Sequence, residues 1–345
     1  MSYSFRVACQ MRIKSMPDRQ IHGGVIRKLR KEDIERDLLD FSASMNPFPP
    51  SVEWKPEACD LGDYPDDTYS DLKEAIGSVF SRNPEEIAVG NGSVELIRIF
   101  AQVMAPAGSR AYIERSTFGE YAQSVLLSGG IITHNPEASV DLRYLCNPNN
   151  PTGMLLSKEA ITQRLKTCRD EGSTLFLDEA FIDLSDPDQS MVGERDPNLF
   201  ILRSLTKAFS VPGIRFGFGF GDPTLIDAIE KTRPPWTVNR FAEIYATEAI
   251  RHLPDLEASR RMIAIEREYL TTSLRGIGFA AHQSSANYIL VDVGMSASDL
   301  SQGLMRDGIL VRDCTSFGLP ESIRVAIRRH EENQVLIEAL SSCAP

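Results

Sequence analysis

A chain of 345 residues with 42% hydrophobic and 25% charged residues has an ordinary globular balance, which excludes wholesale disorder and coiled coil and suits a large α/β domain with a smaller one beside it. Its formal net charge of −11 argues against nucleic acid as the main partner, because phosphate-backbone binding needs an excess of Lys and Arg. No apolar run approaches the ~18 residues of a membrane-spanning helix, and the start lacks the apolar core of a signal peptide, so the expectation is a cytoplasmic protein without membrane contact.

In chain order, residues 1–45 read as an irregular arm that packs with the C-terminal segment. Residues 46–240 alternate β-type runs with helical-period segments. Strands are predicted at Ile87–Val89, Arg110–Ile113, Leu142–Cys146, Thr174–Leu177, Leu199–Leu202 and Phe216–Phe220. Between them lie helices such as Val94–Met104, Glu120–Leu127, Lys158–Asp170 and Thr224–Thr232. Strands separated by single helices predict crossover units and a mostly parallel sheet between helix layers. After Pro234-Pro235 the pattern changes to one long charged helix, from about Asn239 to Leu274, and then to a small α+β unit completing 241–345.

In such sheets ligands sit at the carboxyl ends of the strands, so the residues just past each strand carry the functional reading. Gly90-Asn91-Gly92-Ser93 follows the first strand and opens a helix. Glycines there aim backbone N–H groups and the helix dipole at an anion, though the same residues also make a plain tight turn. Asn147-Pro148-Asn149-Asn150-Pro151-Thr152-Gly153 follows the third strand, and Asp178-Glu179-Ala180-Phe181 the fourth. Asp178 is either a functional carboxylate or a helix N-cap. Arg203-Ser204-Leu205-Thr206-Lys207 and then Pro212-Gly213-Ile214-Arg215 follow the fifth; Lys207 is either a nucleophile or a solvated loop residue. The Gly217–Gly221 run is itself strand-like and opens no helix, which excludes a dinucleotide site there. The six cysteines form no C-x-x-C pair, and the five histidines have no ligand spacing, so no disulfide framework and no metal are implied.

Taken together, in this order and spacing, these stretches resemble the pyridoxal-phosphate enzymes of the aspartate aminotransferase superfamily (fold type I), from about His22 to the C-terminus. The resemblance implies the corresponding α/β fold with pyridoxal 5′-phosphate as cofactor. By it, Lys207 forms the Schiff base and moves protons at the substrate Cα, and Asp178 pairs with the pyridine nitrogen. Asn150 bonds the ring O3′ and Phe118 stacks on the ring. Gly92, Ser93 and Val94, with Ser204, Thr206 and Arg215, hold the cofactor phosphate. Tyr64 matches a tyrosine that reaches the cofactor of a partner subunit, which implies a homodimer with composite sites. Phe181 stands where many members carry a tyrosine.

Finer stretches are similar to the threonine-phosphate decarboxylases of cobalamin biosynthesis: His22-Gly23-Gly24, Asp40 to Pro47, Leu202 to Lys207 and Pro235 to Asn239. The resemblance implies decarboxylation of a small phosphorylated amino acid, O-phospho-L-threonine, to an aminopropanol phosphate. His22 and Gly23 match residues at the substrate phosphate, and Arg312 and Arg324 match two substrate arginines, whose planar forks suit carboxylate and phosphate. Asn150 also belongs to the substrate site. Ser44 departs from the pattern, standing where an asparagine is expected. The neighbouring branch, the histidinol-phosphate aminotransferases, is the alternative. A regulatory protein using the cofactor as a sensor is disfavoured, since no length is left for a DNA-binding module.

Overall fold

The computed structural model describes residues 16–24 and 38–343. The first strand, β1 (Leu39–Asp40), stands apart from the main sheet. That sheet comprises β2 (Ile87–Gly90), β3 (Arg110–Tyr112), β4 (Ile131–Thr133), β5 (Leu142–Cys146), β6 (Thr174–Asp178), β7 (Leu199–Arg203) and β8 (Gly217–Phe220), in the order β2-β8-β7-β6-β5-β3-β4. Only β8 runs against its neighbours. Strands β5, β6 and β7 are buried along their whole length, which explains why they read as continuous rather than alternating apolar runs.

The first six helices are α1 (Ser70–Phe80), α2 (Ser93–Met104), α3 (Glu120–Ser128), α4 (Lys158–Glu171), α5 (Leu205–Ala208) and α6 (Pro223–Thr232). Their ends follow from local chemistry. Ser157 Oγ accepts the Ala160 N–H to start α4, which stops at Gly172 in the left-handed region. Asp222 caps α6, with Pro223 in the first turn. On one face of the sheet Leu96, Phe100, Tyr121, Phe176, Phe200 and Ile226 form one core. On the other, a larger core runs from Leu72 and Ile76 of α1 through Leu177 and Phe218 into the C-terminal part.

That part holds β9 (Ala280–Ala281), β10 (Tyr288–Asp292), β11 (Ile309–Leu310), β12 (Arg312–Asp313) and β13 (Ser322–Ala326), with helices α7 (Arg240–Ala249), α8 (Leu256–Gly276), α9 (Ala297–Arg306) and α10 (His330–Ser341). Four strands form an antiparallel sheet in the order β12-β13-β10-β9, while β1 pairs in parallel with β11. The single helix expected from Asn239 to Leu274 is corrected to two, α7 and α8, joined by a 3-10 segment over Ile250–Asp255. Pro254 lies in that segment, and a proline deprives a helix of one N–H and crowds the carbonyl four residues back. Strand β8 begins one residue later than expected, after Arg215 in the left-handed region at φ 60°.

Among the described residues no helix is long and apolar enough to cross a membrane.

Candidate active site

The parallel strands of the main sheet end at a cavity of about 610 Å³ that the small sheet and residues 20–24 close from the other side. A ligand of drug size fits such a volume. His22, Gly23, Ser44, Ser93, Val94, Phe118, Asn150, Asp178, Phe181, Ser204, Thr206, Lys207, Arg215, Arg312 and Arg324 all line it. Gly92 and Tyr64 do not.

At the end of β2 the chain turns through Gly92, φ 86°, into α2. A Cβ on Gly92 would lie 2.3 Å from Arg215 Nη2, so glycine is required for the guanidinium to reach the amino end of α2. Arg215 also donates from Nη1 to the Pro212 carbonyl at 2.9 Å. Beside it Ser204 Oγ and Thr206 Oγ1 share a hydrogen bond of 2.9 Å. Helix N–H groups, a guanidinium and two hydroxyls converge here: a cradle for an anion.

Asp178 ends β6 with its carboxylate oxygens engaged from two directions. Oδ1 accepts the Ala180 N–H at 2.9 Å, and Oδ2 accepts the Tyr121 hydroxyl at 2.6 Å. Burial raises its carboxyl above the usual range, against the pull of the Tyr121 bond. Lys207, on the short α5 after β7, has an ammonium pulled down to about 8, first by burial, then by Arg324 and Arg215; Asp178 works the other way. Its Nζ lies 5.9 Å from the Phe181 ring centre, and that ring meets Tyr288 edge-on at 5.0 Å. Phe118 contacts Tyr121 edge-on at 5.6 Å.

Asn150 joins the two halves, because its side-chain oxygen accepts from Arg324 Nη1. Arg324 also donates from Nη2 to the Ser42 carbonyl at 2.9 Å, while its buried Nε has no partner among the described residues. In the antiparallel register Arg312 stands directly opposite Arg324. Like charges facing across strands are destabilising, and burial and mutual repulsion hold the Arg312 guanidinium below its usual range. Anions between the two would relieve that conflict. The Ser44 hydroxyl, 1% exposed, has no partner either, while its carbonyl accepts Asn287 Nδ2 at 3.0 Å.

The arm enters from above. Gly23 lies so close that a Cβ would be 2.3 Å from the Ser42 carbonyl oxygen. His22 Nε2 is 2.8 Å from Glu120 Oε1. Tyr64 lies outside the cavity, 80% exposed and stacked on Trp236 at 4.4 Å. Sequence reading had not picked out Tyr121, Tyr288 or Glu120. Glu120 and Tyr121 stand two and three residues past Phe118, at the start of α3, the one signal that points to them.

The residues present fit pyridoxal 5′-phosphate. The cradle suits a phosphate, the Asp178 carboxylate a pyridinium, Lys207 a carbonyl carbon and Phe118 a flat ring. Two further polar atoms, Ser44 Oγ and Arg324 Nε, are buried without partners among the described residues, where a substrate would extend.

The chain matches the family "Aminotransferase class I and II" over residues 36–340 and belongs to it. Among its relatives is a "Putative threonine-phosphate decarboxylase" of Caldanaerobacter subterraneus subsp. tengcongensis, 36% identical, with 92% of each chain covered. A histidinol-phosphate aminotransferase of Ruminiclostridium cellulolyticum is 31% identical, covering 92% of this chain and 98% of the relative. The crystal structure of the histidinol-phosphate aminotransferase from Clostridium acetobutylicum superimposes with a TM-score of 0.79 at 29% identity, over 89% of this chain and 99% of that one.

Proposed function

We propose that this protein is a pyridoxal-phosphate-dependent lyase that decarboxylates O-phospho-L-threonine to (R)-1-aminopropan-2-yl phosphate, the reaction that supplies the side-chain amine of cobalamin. The observation that carries this reading is the opposed pair Arg312 and Arg324, with His22 beside it: a site for two anionic groups on one small substrate. O-phospho-L-threonine brings both a carboxylate and a phosphate. Histidinol phosphate, the amino donor of the alternative transamination, brings the phosphate alone, and there the pair of arginines would serve the two carboxylates of 2-oxoglutarate instead. The likeness to the Caldanaerobacter relative supports the first reading.

When bound, the cofactor supplies an electron sink for the pair released at the substrate Cα. The protein's part is positioning and proton transfer. Asp178, buried and held by Tyr121, would set its carboxylate against the ring nitrogen. Lys207, easily neutral at its lowered value, would attach the cofactor; displaced by the substrate, it would take up the proton that the substrate ammonium gives up and deliver it to Cα in place of the departing CO2. Arg324, Asn150 and Ser44 orient the carboxylate; a misplacement of about 1 Å costs about a hundredfold in rate, so these contacts decide which bond breaks. Phe181 brings a ring edge where a hydroxyl would stand and would leave the O3′ contact to Asn150.

The reading extends to organisation. The division proposed is 1–45 as an arm of the small domain, 46–240 as the cofactor-binding domain, and 241–345 as the α7–α8 segment with the small domain; the β1–β11 pairing supports joining arm and C-terminus. The exposed Tyr64–Trp236 stack supports a homodimer in which Tyr64 reaches the partner's cofactor. Five unpaired cysteines among the described residues agree with a reducing cytoplasm.

The test is CO2 release from O-phospho-L-threonine by the cofactor-loaded protein with no oxo acid present. Sustained turnover is expected. No CO2, with transfer of the amino group from histidinol phosphate to 2-oxoglutarate, would replace this reading by the alternative.

A further inference from the structure

His22 borders the cavity from the arm, whose described residues supply no hydrogen bond to hold its ring. What holds it is Glu120, the first residue of α3, 98 positions away. The carboxylate is shared: Oε1 takes His22 Nε2 at 2.8 Å, and Oε2 takes Arg98 Nη2 at 2.6 Å and Nε at 3.2 Å from α2. Glu120 is only 4% exposed. Its carboxyl lies below the usual range, chiefly through the His22 bond and then Arg98, against the effect of burial.

An ionised carboxylate only accepts, so Nε2 of His22 is the donor in this pair and the tautomer is set. Nδ1 has no partner among the described residues. On the same side, Arg312 Nη2 donates to the carbonyl of Ile21 at 2.8 Å, which brings guanidinium and imidazole to one end of the cavity. With Nε2–H committed to Glu120, Nδ1 is the ring nitrogen left for a ligand, and a phosphate monoester can itself bring the proton that an Nδ1–oxygen hydrogen bond needs. Arg98 behind Glu120 offsets the carboxylate's charge where a phosphate approaches.

We propose that Glu120, backed by Arg98, is a positioning residue for phosphate recognition: it fixes His22 so that Nδ1 is left to hydrogen-bond a phosphate monoester held between His22 and Arg312. This rests on the phosphorylated-substrate reading above and applies equally to its histidinol-phosphate alternative. Gln123 Nε2, bonded to the Pro17 carbonyl at 3.5 Å, and Gln20 Nε2, bonded to Gln123 Oε1 at 3.3 Å, seat the same arm on α3, so the ring arrives already oriented.

The experiment is a double-mutant cycle on the cofactor-loaded enzyme with His22→Gln, Glu120→Gln and the two combined. Dissociation constants for O-phospho-L-threonine and L-threonine are read from the absorbance change of the bound cofactor, beside kcat and KM. Each single change should weaken the phosphorylated ligand by about ten- to a hundredfold, the range of a hydrogen bond to a charged group. L-threonine should bind as before, and the loss should fall on KM rather than kcat. The combined variant should be no worse than His22→Gln alone, because Glu120 acts through that ring. Multiplying effects, or equal weakening of both ligands, would overturn the proposal. Should Glu120→Gln not fold, Arg98→Met carries the same expectation from outside the cavity. If the wild-type protein releases no CO2, the decarboxylase reading falls, and histidinol phosphate against histidinol decides the positioning role by the same cycle.

Discussion

Lys207 shows how packing sets the chemistry of one side chain. Burial and two arginines draw its ammonium down to about 8 while Asp178 alone pushes back. Only the neutral amine attacks a carbonyl, so attachment of pyridoxal phosphate to the cofactor-free protein should accelerate with rising pH, with a midpoint at about 8. Asp178→Asn removes the one group that raises the value and should move that midpoint lower; stopped-flow absorbance across a pH series checks both. The residues past each strand tip were legible in the sequence, since glycine, asparagine, aspartate and lysine occur there in a fixed order. Tyr121 and Glu120 were not assigned roles. Their partners Asp178 and His22 lie 57 and 98 positions away, and such separations leave no local periodicity to read.

At the scale of elements, β8 is the informative strand. It runs against β2 and β7, so its beginning, rather than its end, meets the ligand edge, and that is how Arg215 arrives beside the strand tips. Its glycines answer to contact: a Cβ on Gly217 would lie 2.4 Å from Ser93 N, and one on Gly219 2.4 Å from Phe200 Cζ. Gly217→Ala should therefore destabilise the protein by about 1–3 kcal/mol through overpacking against α2, measurable as a lower Tm of the cofactor-free protein. Neighbouring β7 ends in Arg203, 2% exposed, which bonds Asp183 and, at 3.3 Å each, Glu179 Oε2 and Ser190 Oγ. Arg203→Met strands two buried carboxylates and should cost about 3–5 kcal/mol in urea unfolding. The sequence showed β8 as a strand but not its direction, because antiparallel and parallel strands with both faces covered have the same apolar run. It likewise showed continuous helical character through Ile250–Asp255, where the charges persist and Pro254 interrupts the ladder.

The whole molecule is proposed to act as a pair. Equilibrium sedimentation is expected near twice the 38.4 kDa of one chain. Lys207→Ala and Tyr64→Ala should each lose turnover. Mixed under conditions that exchange subunits, they should regain it, because one of the two sites then has both residues. No recovery in a mixture shown to contain mixed dimers would refute the composite site.

The cavity draws its lining from the arm at His22, from five strand tips of the main sheet and from β13 at Arg324. Synthesis proceeds from the amino end, and domains generally fold as units once they have emerged. Nearly the entire polypeptide must therefore leave the ribosome before the last wall of the pocket exists. Substrate capture is a post-synthetic event, and loss of the final strand removes it however well the central sheet has assembled.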